Sequence, residues 1–175
     1  MKNKNSAARC IVVLLVIAVV CVATLGILND VLYVPPDMSA FSKAASGTYE
    51  ADTLQKVQLS NGKVELVVKG KLDNGKDAVG LFVLGNKSGK ADSFKLAIVF
   101  EKDSKNIVGV YMDTDGSTGG YSYDKKKLEN AIGKPITSDF LTDSSLLVTG
   151  ATNSSFAVRQ ALQTANEYYT LVLAK

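Results

Sequence analysis

The chain opens on an unbroken apolar stretch and then changes character. Lys2, Lys4 and Arg9 precede a run from Cys10 to Leu28 that holds no charged residue. As a helix rising ~1.5 Å per residue, this run spans roughly 27–29 Å, close to the ~30 Å hydrocarbon core of a bilayer. The pattern predicts a transmembrane anchor over residues 10–28 behind a basic cytoplasmic tail over residues 1–9, with everything after Asn29 exported. A cleaved signal peptide is the competing reading, but its apolar region is shorter, about 7–15 residues, and ends in a small-residue site that does not follow here. Cys21 also invites a lipoprotein reading, yet Ala18-Val19-Val20 puts no small residue directly before it. Residues 29–38 form a linker in which Val34-Pro35-Pro36-Asp37 breaks any continuing helix.

Beyond the linker the apolar positions come mostly in short strand-like runs. A brief helix is expected from Ser39 to Ala45, stopped near Gly47, and β structure from Tyr49 onward. Val57-Gln58-Leu59 and Val64 to Val68 flank Ser60-Asn61-Gly62, where Asn-Gly signals a two-residue hairpin turn. Asp73-Asn74-Gly75 marks a second turn before an apolar strand from Ala78 to Leu84, followed by a glycine-bearing loop from Gly85 to Gly89. Phe94 to Phe100 and Ile107 to Met112, joined by a polar turn, predict an antiparallel hairpin. A glycine-rich loop follows from Asp113 to Gly120. Asp124 to Ile132 is expected to be a helix closed by Gly133, with Pro135 beyond it. Ser154 to Tyr169 is the clearest helix, with Phe156, Val158, Ala161, Leu162, Ala165 and Tyr169 assigned to its apolar side. The expected fold class is α+β: a mostly antiparallel sheet with a few packed helices over residues 39–175, preceded by the single N-terminal transmembrane helix.

Composition narrows the chemistry. The chain has 175 residues, a net charge of +3, no histidine and two cysteines, both within the N-terminal run. The exported part therefore has no disulfide framework, and a Ser-His-Asp triad, a Cys-His dyad and the usual zinc constellations are excluded. Lysines are scattered among acids, which gives no support to a nucleic-acid partner. Lys125-Lys126-Lys127 reads as a solvated helix face, with a phosphate or anionic-lipid contact as the other reading. Tyr121, Tyr123, Tyr168 and Tyr169 read as packing residues. Asp113 and Asp115 lack the later ligands of a calcium loop.

The candidate chemistry lies at the mouth of the last helix, in Thr149-Gly150-Ala151-Thr152-Asn153-Ser154-Ser155. The glycine permits a sharp turn and a close approach to a ligand. The Thr, Asn and Ser side chains can cap the first helical turn. The helix start is electropositive and suits a phosphate or phosphodiester. On these grounds alone the segment is either an ordinary N-cap or a ligand site.

Thr149 to Thr152 resembles the S/T-G-A-T flavinylation motif of the FMN-binding domain family, which includes flavin-bearing components of the Rnf complex and of the sodium-pumping NADH:quinone oxidoreductase. The order of elements is similar as well: anchor, β region, a hairpin like Phe94 to Met112, a glycine-rich loop, a short helix ending near Gly133-Lys134-Pro135, the motif and a closing helix. The resemblance implies FMN held by a phosphoester bond to Thr152, installed from FAD by a separate flavin transferase. It also implies contacts from Thr149, Gly150, Ala151, Asn153, Ser154 and Ser155, and from Thr114, Gly116 and Ser117 of the glycine-rich loop. Two departures are visible. Leu146-Leu147-Val148 stands where the family often has an acid, the nearest being Asp143. The loop runs Asp113 to Gly120 without the proline of its usual Glu-Thr-Pro-Gly-Leu-Gly form.

The implied function is electron relay between redox subunits or carriers, either in an Rnf-like membrane complex or in extracellular electron transfer. The flavin does the redox chemistry, and the protein supplies tethering and orientation. No G-x-G-x-x-G follows a strand and opens a helix, so no nicotinamide site is expected. The alternatives are an anchored binding or adhesion module with noncovalent or no flavin, and a structural surface domain whose motif is only a helix cap.

Overall fold

The computed structural model describes residues 4–32, 37–53, 57–87, 90–117 and 122–174. They fall into two compact units, residues 1–36 and 37–175. The first contains a single helix, α1 (Lys4–Leu32), whose described side chains, Arg9 to Leu25, are all exposed. Among the described residues no helix is long and apolar enough to cross a membrane. The Gly26–Leu28 end of the expected span lies outside the described side chains, and the described stretch falls short of the ~20 residues that a span needs.

The second unit is α+β with one antiparallel sheet, in the order β1 (Gly47–Thr53), β3 (Gly62–Leu72), β4 (Asp77–Lys87), β5 (Lys90–Glu101), β6 (Ile107–Thr114). The short β2 (Val57–Gln58) pairs with the same edge of β3 as β1 does. Helix α2 (Ser39–Ala44) covers one face, with the Phe41 ring 4.5 Å from that of Phe82 and tilted 54° to it. The other face is covered by α3 (Thr152–Tyr168), which ends in a π turn (Tyr169–Leu173), and by a short 3-10 helix (Lys125–Ala131). Because both faces are covered, β4 and β5 are near-continuous apolar runs rather than alternating ones. In β5, Phe94, Leu96, Ile98 and Phe100 face α3 while Ala97 and Val99 face α2. A register shift between Val64 and Leu66 moves the following residues to opposite faces: Val64 packs toward α3, Leu66 toward α2.

Several expectations need correction. Leu59 N donates to Gly62 O and Gln58 pairs with Lys63, so the first hairpin turns on Ser60-Asn61 and Gly62 already belongs to β3. Gly85 is not in a loop; β4 continues to Lys87, and residues 88–89 lie outside the described ones. A Cβ at Gly85 would sit 2.3 Å from Ala157 O, so glycine there lets α3 cross the strand at close range. The segment after Asp124 is a 3-10 helix, capped by the Asp124 carboxylate accepting from Lys126 N and closed at Gly133 (φ +84). Phe156, assigned to the apolar side of the last helix, is 47% exposed. The buried face of α3 is instead set by Ala157, Val158, Ala161, Leu162 and Ala165, together with Ser154, Ser155 and Thr164. At about 100° per residue, Phe156 points away from that face.

Candidate functional site

The Thr149–Ser155 segment is a tight turn leading into α3. Thr149 and Gly150 form the turn, with Gly150 at φ +82 and open space where a Cβ would be. Ala151 is buried and is the residue flanking the helix; it offers no side-chain cap. The expected capping by Thr, Asn or Ser side chains is therefore not how this helix begins. The Ser155 hydroxyl, fully buried, closes the turn from inside the helix: it accepts from Val148 N (2.9 Å) and donates to Ala151 O (2.9 Å). Ser154 is also buried, so the two serines face the protein while Thr152 and Asn153 face solvent. Thr152 is the first residue of α3, and its hydroxyl stands at the positive end of the helix dipole.

One residue links the described part of the glycine-rich loop to the segment that precedes this turn. Thr114 ends β6 and is exposed, Gly116 and Ser117 are half-buried, and residues 118–121, including Tyr121, lie outside the described ones. Ser117 N donates to Asp115 Oδ1 (2.9 Å), and Ser117 Oγ accepts from Tyr123 N (3.0 Å). The Tyr123 phenol is buried and donates to Leu146 O (2.9 Å), two residues before the Val148 amide that Ser155 holds. Burial pushes the phenol far above its ordinary pKa, with Asp124 adding to the rise, so it is a permanent donor. Tyr123 thus ties Ser117 of the loop to Leu146, three residues before Thr149.

Asp143 has a structural task. It caps the 3-10 turn Ser144–Leu146 through Ser145 N, and its carboxylate pairs with Lys134. Burial pushes its carboxyl up, but bonds from Lys134 and Ser145 outweigh this and hold it below its ordinary pKa. In Leu146-Leu147-Val148, Leu146 is core, Val148 is half-buried and Leu147 is 40% exposed.

The sequence pattern did not reveal how the outer face of α3 is covered. Asn166 Nδ2 donates to Ser138 O (2.8 Å), Gln163 Oε1 accepts from Phe140 N (3.0 Å), and Arg159 Nη1 donates to Leu141 O (2.6 Å). These residues hold the irregular segment 138–141 against the helix as a roof, running antiparallel to it. The polar stripe was visible as helical spacing, but nothing in the pattern named its partner. The roof ends at Arg159, one turn before Phe156, where Asp139 takes up Leu141 N and the Thr142 hydroxyl and the chain turns away.

A cavity of about 500 Å³ opens at the other end of α3, lined by Val79, Phe100, Tyr169 and Leu173 with Lys69 and Lys102. It lies about 25 Å along the helix from Thr152 and includes none of the motif residues, so cavity volume and candidate chemistry point to different ends. The motif end is the better site, because it alone combines an exposed hydroxyl, an uncapped helix start and a positive-φ glycine. Among the described residues no group of His, Cys, Asp or Glu could hold a metal ion. Neither a scan against protein-family models nor a search of curated proteins finds a match for this chain.

Proposed function

We propose that this chain is a membrane-anchored, extracytoplasmic electron-transfer domain carrying FMN covalently on Thr152. The observation that carries the reading is the form of the Thr149–Thr152 turn. A hydroxyl is exposed at the first position of a helix whose N-terminus no side chain caps, two residues after a glycine with open space where a Cβ would be. A phosphodiester fits there, because the free N–H groups of a first helical turn and the helix dipole both favour a negative group. Bound FMN would supply the redox chemistry. The chain's own part is to tether through Thr152, to hold the turn rigid through Ser155, and to tie Ser117 to the segment before the motif through Tyr123. Thr152 has no imidazole or cysteine near it to raise its nucleophilicity, since the chain lacks histidine and its cysteines are Cys10 and Cys21. A separate flavin transferase is therefore part of the proposal, as are redox subunits or carriers that exchange electrons with the domain.

The anchor rests on the Cys10–Leu28 run and its basic N-terminal flank. The described side chains of α1 are apolar on all sides from Ile11 to Leu25 apart from Thr24, with only the small Ala and Cys to vary the surface. Such a helix has no polar face to offer water.

Unfolding the purified chain, after co-expression with a flavin transferase, tests the attachment. Flavin fluorescence that stays with the denatured polypeptide is the expected result. Colour released on unfolding would turn the reading to a noncovalent flavin module, and a colourless protein would sink both.

A further inference from the structure

The outer stripe of α3 changes at Phe156. From Asn166 back to Arg159 its side chains are taken up by the 138–141 roof, and toward the helix start the roof stops. What remains uncovered is a shelf bearing Thr152 and Phe156. They lie about 40° apart around the helix axis and ~6 Å along it, so they project from the same side. Phe156 is 47% exposed, on a helix that buries smaller residues on its other face. Leu147 is 40% exposed on the other side of the turn. The Val148–Ser155 hydrogen bond ties its segment to the first helical turn. Among the described residues of the second unit, the exposed large apolar side chains are Ile132, Leu147, Phe156, Leu171 and Val172. Two of these five flank Thr152 within five positions on either side.

We infer that this shelf is the resting place of the flavin ring: Phe156 stacks on the isoalloxazine and Leu147 borders it. The inference rests on the attachment of FMN at Thr152 and adds the surface that orients it. An aromatic face is the side-chain chemistry that holds a flat heteroaromatic ring, and a tether one helical turn away keeps the ring at high local concentration. Phe156 belongs to neither of the two hydrophobic core clusters and lies one helical turn from the Thr152 hydroxyl. Among the described residues, the roof's hydrogen bonds to α3 stop at Arg159, one turn short of Phe156.

The full chain co-expressed with a flavin transferase, as wild type, Phe156→Ala and Phe156→Tyr, tests this by two readouts. Intact mass reports attachment. Quenching of flavin fluorescence by iodide, with visible circular dichroism, reports whether the ring is docked. The expected result is a full FMN increment in all three proteins. In Phe156→Ala the quencher-accessible flavin should rise about tenfold, as for the loss of one aromatic stack, and the visible dichroism should collapse. Phe156→Tyr should match wild type. An increment retained with unchanged quenching and dichroism in Phe156→Ala overturns the shelf while leaving attachment intact. An increment lost only in Phe156→Ala also overturns it, because Phe156 would then serve the transferase. No increment in wild type defeats the attachment reading and the shelf with it.

Discussion

Ser155 shows how much of the site depends on a single hydroxyl. Its oxygen satisfies the Val148 amide across the Gly150 turn, and its proton the Ala151 carbonyl at the helix start. Ser155→Ala leaves the half-buried Val148 amide without this partner and should lower stability by about 1–3 kcal/mol, read as a lower urea midpoint at unchanged slope. A loss below about 0.5 kcal/mol would match an ordinary surface position and contradict the role. Tyr123→Phe removes the bond to Leu146 and should cost about 1–2 kcal/mol, with faster hydrogen exchange at residues 146–148. Asp143 carries a pH dependence. Its folded pKa lies below the ordinary 3.8, so its stabilising contribution is complete above that value and disappears as pH falls through the folded pKa. Asp143→Asn should therefore flatten part of the acid limb of stability; an unchanged limb would show that the Lys134 pair contributes nothing there.

At the scale of elements, two glycines separate backbone conformation from space. Gly150 has a positive φ but open surroundings, whereas Gly85 has a Cβ position 2.3 Å from the Ala157 carbonyl. Gly150→Ala should cost about 1–2 kcal/mol through its left-handed backbone. Gly85→Ala should cost roughly 3 kcal/mol, at the top of the overpacking range, because α3 must lift from β4. Thermal melts of the two variants decide it, and a larger loss at Gly150 would contradict the close crossing. The strands were legible in the sequence because β4 and β5 are covered on both faces and so appear as apolar runs. Gly85 reads as the start of a loop because a glycine needed for close packing looks, in sequence, like a turn. Phe156 was placed inside because apolar spacing alone cannot tell a core ring from one left open. The 138–141 roof was illegible because its partners are backbone groups of an irregular segment, which leave no periodicity. Within the motif, the turn and helix start were legible from Gly150 and Thr152, but the closure by Ser155 was not.

For the whole molecule, the absence of histidine predicts a simple pH profile. With no side chain of ordinary pKa near neutrality outside the two cysteines, stability should be flat from about pH 6 to 9. It should then fall on the alkaline side, because three tyrosines have raised pKa values. Burial pushes Tyr49 up to about 12, and Tyr123 and Tyr168 up as well. A group raised in the folded state gives its stability below its unfolded pKa, near 10, and loses it as pH climbs through the folded value. Tyr49→Phe should soften that limb, and a titration midpoint near neutrality would contradict the account. The anchor proposal belongs to this scale too: the full chain should remain with membranes after an alkaline carbonate wash, whereas residues 37–175 alone should be released.

The most direct measurement is the intact mass of the full chain co-expressed with a flavin transferase, set beside Thr152→Ala. The account predicts one FMN increment on the unaltered chain and none on the variant, with both proteins equally folded because Thr152 is exposed and makes no cap. An increment that persists in Thr152→Ala, or that never appears on the unaltered chain, would contradict it.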